Sequence, residues 1–175
     1  MAVALVSVLG PDRIGLVASI ADELFGAGIS LRDTTFAALG SGAEFTAVCD
    51  LPDGVAPEEI EAGLGRLPEL DGAQVRVVPY AFDPNPTALA RVTHRITISG
   101  GDQLGLVARL ADIFAQYEAN IVRLEARKLS EGEGGLYVTR FAVAIPPERR
   151  DLCLSAVTST AGALSLRCQI EASEL

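Results

Sequence analysis

Residues 10–18 read Gly-Pro-Asp-Arg-Ile-Gly-Leu-Val-Ala, and residues 100–108 read Gly-Gly-Asp-Gln-Leu-Gly-Leu-Val-Ala. The likeness runs from residue 10 to 31 and from residue 100 to 121, where eight of 22 aligned positions are identical without a gap. Similarity at a fixed spacing indicates a repeated structural unit. The chain therefore contains two copies of one unit, offset by 90 residues.

The repeated stretch is typical of a turn from a strand into a helix. Such a turn presents unpaired backbone N–H groups and the positive end of the helix dipole at one place, where an amino-acid carboxylate fits. Gly10 and Gly15 carry no Cβ and would let a bound group approach the backbone. The alternative is that Asp12 and Asp102 are helix N-caps and that the glycines only shape the turn.

The length of 175 residues and the repeat together predict two small domains. The stretch Asp83-Pro84-Asn85-Pro86 has the composition of a linker, because its prolines disfavour a helix. We therefore expect a first domain at 1–79, a linker at 80–91 and a second domain at 92–175.

Hydrophobic periodicity predicts the order β-α-β-β-α-β in each half. In the first helix Ile14, Val17, Ala21 and Leu24 recur at helical spacing and are expected to form its apolar face. We expect strands at 3–9, 29–39, 44–51, 73–78, 93–99, 120–129, 136–145 and 164–170, and helices at about 14–26, 58–67, 103–117 and 147–160. This order closes most simply as a ferredoxin-like α+β unit, an antiparallel four-stranded sheet with both helices on one face.

The two halves differ in one predicted hairpin. Matching Pro146 to Pro52 raises the offset between the copies from 90 to 94 residues. The second hairpin, around residues 130–135, is therefore four residues longer than the first, and its glycines and charges predict an exposed tip.

The net charge of −9 lies in the first half of the chain. Residues 1–90 carry 4 basic and 13 acidic residues, whereas residues 91–175 carry 10 of each. Because an acidic chain repels phosphate and no helix-turn-helix is visible, we expect no direct binding to nucleic acid. The strongest basic cluster is Arg123, Arg127, Lys128 and Arg140, which alternates with glutamates and is interpreted as a solvated strand face.

The reactive residue types are few. Cys49, Cys153 and Cys168 have no CxxC spacing and are interpreted as buried thiols in a reducing compartment. The single histidine, His94, is expected to be structural, and neither a metal nor a cofactor is expected. No run of 18 apolar residues could span a membrane, and no basic region precedes the N-terminal apolar run. We therefore expect a cytoplasmic protein without a signal peptide.

The Gly-x-Asp-Arg-x-Gly stretch, the Gly28-Ile29-Ser30-Leu31 start of the second strand and the β-α-β-β-α-β order resemble the ACT domain. Two such units in tandem are similar to the glycine cleavage system transcriptional repressor family. The resemblance implies a regulatory protein in which a small amino acid, with glycine as one candidate, binds between paired domains. It also implies a homo-oligomer such as a dimer, a regulatory protein partner and no contact with membranes.

In the ACT domain, the ligand lies against the loop before the first helix and the start of the second strand. Carried over by position, the resemblance implicates Gly10, Asp12, Arg13, Gly15, Ser30 and Leu31 in the first copy, and Gly100, Asp102, Gln103, Gly105, Asn120 and Ile121 in the second. Three positions depart from the pattern, because Ser30 replaces a common Asn, Gly101 replaces Pro11 and Gln103 replaces Arg13.

Two other functions compete with amino-acid sensing. A similar Gly-Pro-Asp-Arg-x-Gly opening begins formyltetrahydrofolate deformylase, which would make this chain an enzyme-related fragment. No catalytic domain follows the second unit, and no nucleophile pairs with His94, so we expect the protein not to be an enzyme. The remaining alternative is a structural pairing module that binds no ligand.

Overall fold

The structure, a computed structural model, describes residues 2–85, 87–129 and 135–173. The chain divides into two compact units, Met1–Asn85 and Pro86–Leu175. The boundary falls inside the segment 80–91, whose composition favours a linker. Residues 130–134 of the predicted hairpin tip lie outside the described residues.

Both units have the predicted order β-α-β-β-α-β. The first consists of β1 (Ala2–Pro11), α1 (Leu16–Gly26), β2 (Ser30–Leu39), β3 (Gly42–Leu51), α2 (Pro57–Leu64) and β4 (Gln74–Pro79). The second consists of β5 (His94–Gly101), α3 (Leu106–Gln116), β6 (Asn120–Lys128), β7 (Leu136–Ala144), α4 (Arg150–Ala163) and β8 (Arg167–Ala172). Short 3₁₀ turns at Pro68–Leu70, Ala88–Ala90 and Pro147–Arg149 precede β4, β5 and α4.

Each unit contains one antiparallel sheet of four strands. The strand orders are β2-β3-β1-β4 and β6-β7-β5-β8, so each helix crosses from one strand to a strand that is not its neighbour. The central pairs β1–β3 and β5–β7 are antiparallel over their whole length. The predicted ferredoxin-like α+β fold is confirmed in both units.

The core of each unit lies between the sheet and its two helices. In the first unit, the alternating residues Ala4, Val6 and Val8 of β1 are buried against Ile20 of α1 and Leu64 of α2. In the second unit, β5, α3 and α4 form the corresponding cluster around Ile96, Ile98, Leu110 and Val157. Because strand residues alternate between faces, the opposite face of each sheet carries the intervening side chains.

The predicted apolar face of the first helix is wrong at its start. Ile14 is fully exposed and Val17 is partly exposed, whereas the buried residues of α1 are Leu16, Ile20 and Leu24. The helix begins at Leu16, so Ile14 lies in the preceding turn, and the helical repeat that reaches the core is counted from Leu16.

Candidate functional site

The repeated stretch adopts the same turn in both units. Gly15 has a φ of +88° and Gly105 a φ of +78°, and these glycines hold the N-cap positions of α1 and α3. The N–H of Leu106 donates to the carbonyl of Gln103 at 3.2 Å, and the N–H of Arg109 donates to the carbonyl of Gly105 at 3.0 Å. The first unit makes the equivalent pair of bonds, so the duplication preserves the shape of the loop.

The interpretation of Asp12 and Asp102 as helix caps is wrong. The N-cap position is taken by glycine, and neither helix has a side-chain capping hydrogen bond. Asp102 instead lies with Oδ2 3.4 Å from Nζ of Lys128. Since the first turn of a helix has no internal acceptors, the N–H groups of Val107 and Ala108 stay without a hydrogen bond among the described residues.

A small pocket opens at the start of α3. Its volume is about 230 Å³, and its wall includes Asp102, Gln103, Gly105, the first turn with Val107 and Ala108, and the side of Tyr137. The wall therefore includes two residues whose N–H groups have no partner and one residue that carries a carboxylate. Those N–H groups and the helix dipole favour a bound anion, and the carboxylate of Asp102 favours a cationic group beside it.

The glycines of the loop have two different structural roles. A Cβ on Gly10 would lie 2.5 Å from Cβ of Ala73, and a Cβ on Gly100 would lie 2.5 Å from Cδ2 of Leu166. These two glycines allow close packing inside the unit. At the N-cap glycines of both loops nothing lies within 4 Å of an added Cβ, so there the backbone is open to an approaching group.

The surroundings of the two loops differ. In the second unit Tyr137 of β7 lies opposite both Gly100 and Lys128, which brings a phenol and an ammonium to the loop. The first unit has Ala43 at the position of Tyr137 and pairs it with Ala38. Sequence reasoning missed Tyr137 and Lys128, because strand register and not the repeated stretch brings them to the site.

Arg13 makes contacts within its own unit. Its Nη1 donates to the backbone carbonyl of Pro68 at 2.8 Å and lies 3.5 Å from the carbonyl oxygen of Glu69. The guanidinium thereby binds the loop to the 3₁₀ turn before β4. Arg13 therefore has a structural role in the first copy. Among the described contacts, the side chain of Gln103 makes no equivalent hydrogen bond in the second copy.

The residues at the start of the second strand do not join the loop of the same unit. Asn120 pairs with Ala144 at one end of β7, whereas Gly101 pairs with Leu136 at the other end. Eight residues of strand separate these ends by about 27 Å. Ser30, Leu31 and Ile121 lie at the corresponding strand starts. A single amino acid is therefore too short to contact both sets within one unit.

Asn120 already has a partner in its own unit. Its Nδ2 donates to the carbonyl of Leu89 at 2.7 Å and so holds the turn that precedes β5. Its Oδ1 makes no hydrogen bond with the described residues, and this oxygen is the atom that could accept from a ligand ammonium.

Both loops expose a large apolar side chain at the same position. Ile14 and Leu104 are fully accessible to solvent, although they directly precede the N-cap glycines. Burial of such a side chain against another surface contributes about 1.5 to 3 kcal/mol. The exposure therefore recurs at the same position of both copies.

The histidine and the thiols have the environment of structural residues. His94 is buried in β5 with Nδ1 2.9 Å from Oγ1 of Thr93, and burial followed by the nearby Arg150 lowers its pKa. Burial, and secondarily Asp50, raises the pKa of Cys49 to about 11. Burial also raises the pKa of the thiols of Cys153 and Cys168, so none of the three is an activated nucleophile.

The described ranges 2–85, 87–129 and 135–173 hold neither a membrane-spanning helix nor a cluster of metal-binding side chains. None of their helices has the length and apolar character needed to cross a membrane. They also contain no group of three or more His, Cys, Asp or Glu side chains placed to hold a metal ion.

Comparison with solved structures shows the same fold over nearly the full chain. An unknown protein from Galdieria sulphuraria matches with a TM-score of 0.77 and 21% identity, covering 99% of each chain. A protein provisionally assigned as a glycine cleavage system transcriptional repressor matches with a TM-score of 0.67 and 16% identity, covering 99% of this chain and 98% of its own. An ACT domain protein from Streptococcus pneumoniae matches 45% of this chain, with a TM-score of 0.38 and 20% identity.

No protein-family model and no curated protein matches the sequence. The likeness therefore lies in the fold. Two β-α-β-β-α-β units in tandem form the fold that this protein shares with the solved structures matched over its full length.

Proposed function

We propose that this protein senses a small amino acid, with glycine as one candidate, and acts in transcriptional or metabolic regulation by binding a protein partner. The observation that carries the proposal is the pocket at the start of α3, whose wall includes Asp102 together with Val107 and Ala108, two residues with unpaired N–H groups. An amino-acid carboxylate fits the N–H groups, and the ammonium fits the Asp102 carboxylate.

We further propose that the working form is a homodimer or a larger oligomer. The loop and the strand start lie at opposite ends of each sheet, so a ligand held by both needs two units. The exposed Ile14 and Leu104 would be buried where two units meet. This arrangement agrees with the amino-acid binding that the resemblance implies.

The proposed role is regulatory and not catalytic. Nδ1 of His94, the first residue of β5, lies 2.9 Å from Oγ1 of Thr93, and no nucleophile is paired with His94 in the described ranges. The three thiols are free and have raised pKa values, which fits residence in the cytoplasm. We also propose that the protein binds neither nucleic acid nor membranes directly.

A thermal-shift screen with the twenty amino acids, followed by calorimetry, tests the proposed function. The amino acid that raises the melting temperature of the protein should lose roughly tenfold or more in affinity in Asp102→Ala, because one charge-assisted hydrogen bond is removed. Asp112→Ala is the matched control, since Asp112 is exposed on α3 and outside the pocket wall. A screen without any shift would favour the structural pairing module instead.

A further inference from the structure

The face of the second sheet that points away from the helices carries an unusual row of side chains. Across β8, β5, β7 and β6, the register aligns Glu171, Arg95, Ala142 and Arg123. The two arginines are separated by one strand, a distance of about 10 Å between their backbones. The small side chain of Ala142 lies between them, so the two long arginine side chains border a depression above Ala142.

The next row extends this arrangement by one more cation. It aligns Gln169, Thr97, Arg140 and Glu125 on the same four strands, about 7 Å further along the sheet. Together the two rows enclose a groove of about 600 Å³, which we call the arginine groove and which is lined by Arg95, Thr97, Arg123, Glu125, Arg140 and Glu171. Small-molecule sites commonly have about this volume.

The cations of the arginine groove are largely unpaired. Arg123 and Arg140 form no ion pair and no hydrogen bond with any described residue, even though Glu125 lies opposite Arg140. Arg95 makes a single hydrogen bond, from Nη1 to Oγ of Ser173 at 3.0 Å. Since a guanidinium carries five N–H donors, most of the donors of the groove remain open to a ligand.

The first unit shows that the fold does not require these arginines. At the positions equivalent to Arg95 and Arg140 it has Leu5 and Thr46, which occupy the same places in the register of β1 and β3. The position of Arg123 is taken by Asp33. The same sheet is therefore built without a cation at any of the three positions, so the arginines are available for a function that the first unit lacks.

We propose that the arginine groove binds a small polyanion, a molecule with two or more phosphate or carboxylate groups. A guanidinium group can form two parallel hydrogen bonds with a phosphate or with a carboxylate. Three guanidinium groups around one groove therefore favour a ligand with several anionic groups over a ligand with one. This site lies on the open sheet face and is separate from the pocket at the start of α3, so it would add a second ligand to the protein.

Calorimetry at constant ionic strength with pyrophosphate and with citrate tests the proposal and distinguishes phosphate from carboxylate ligands. At least one probe should bind the wild-type protein, and Arg123→Gln and Arg140→Gln should each weaken it roughly tenfold or more. Arg109→Gln is the matched control, because it removes the same charge from the exposed side of α3 and should change the affinity less than about twofold. Glu125→Gln should strengthen binding, since it removes the anion opposite Arg140.

Three outcomes would overturn the inference. In the first, the wild-type protein binds neither probe. In the second, Arg109→Gln weakens binding as much as the groove variants do, which would mean that the overall charge of the protein causes the effect. The groove variants could instead abolish binding to duplex DNA while neither small probe binds, which would make the groove a nucleic-acid surface. Asp112→Ala, which lies outside both sites, should leave probe binding unchanged, and amino-acid binding is measured separately, so failure here is distinguishable from failure of amino-acid sensing.

Discussion

At the scale of single residues, Thr139 carries a polar group that the core does not satisfy. It is fully buried in β7, and its Oγ1 has no hydrogen-bond partner in the described structure. Thr139→Val keeps the shape and removes the unpaired hydroxyl, so we expect the free energy of unfolding to rise by about 1 kcal/mol. Urea denaturation followed by circular dichroism measures this change.

The same substitution at Thr93 is the control for that prediction. Oγ1 of Thr93 accepts a hydrogen bond from the N–H of Ile145 at 2.9 Å and lies 3.2 Å from the carbonyl oxygen of Val143. Thr93→Val should therefore destabilise the protein by about 1 to 3 kcal/mol. Equal effects of the two substitutions would mean that the hydroxyl of Thr139 is satisfied in solution.

His94 predicts a pH dependence of stability. Burial, and then Arg150, lowers its pKa in the folded state, whereas the unfolded chain takes up the proton at about pH 6.5. As the pH falls below that value the unfolded state binds more protons, so the free energy of unfolding decreases, and above it the group has no effect. Urea denaturation at pH 7.5 and 5.5 should show a larger loss in the wild type than in His94→Gln. A loss of the same size in both proteins would contradict the assignment.

At the scale of elements, the start of α3 depends on the left-handed conformation of Gly105. Its φ is +78° and an added Cβ would meet no neighbour, so Gly105→Ala introduces backbone strain and no clash. We expect a loss of about 1 to 2 kcal/mol in the free energy of unfolding. Gly101→Ala, which also has open space but no positive φ, should be nearly neutral or slightly stabilising. A similar loss at both positions would show that the conformation of the cap is not the cause.

At the scale of the whole molecule, the cysteines report the opening of each unit. Cys49 belongs to the core of the first unit and Cys153 to that of the second. Cys49 is fully buried and its pKa is raised to about 11, so it should react with iodoacetamide only when its unit opens. The half-buried Cys168 should react first. Mass spectrometry of the labelled peptides over time measures the order, and rapid labelling of Cys49 in the native protein would contradict it.

Much of the fold could be predicted from the sequence, because its signals are local. The alternation of apolar residues in β3 and the glycines of the repeated stretch mark elements directly. The predicted start of the first helix was wrong because the conformation of one residue decides where the helix begins. Ile14 has the spacing of a helical core residue, but the conformation of Gly15 starts the helix after it and leaves Ile14 exposed.

The candidate site was predicted only in part. The repeat places Asp102, Gln103 and Gly105 together, since they are adjacent in sequence and share one turn. It does not predict that Tyr137 borders the same pocket, or that Asn120 lies about 27 Å from the loop of its own unit. Both facts follow from which residues of β7 pair with β5 and with β6.

By itself, the sequence determined the duplication and the order of the elements, because these depend on spacing along the chain. Only the tertiary structure decided that Arg95, Arg123 and Arg140 surround one groove, and that Gly10 is a packing residue held against Ala73. The physical reason is that strand register and close backbone approach join residues that are distant in sequence, and no local pattern encodes those distances.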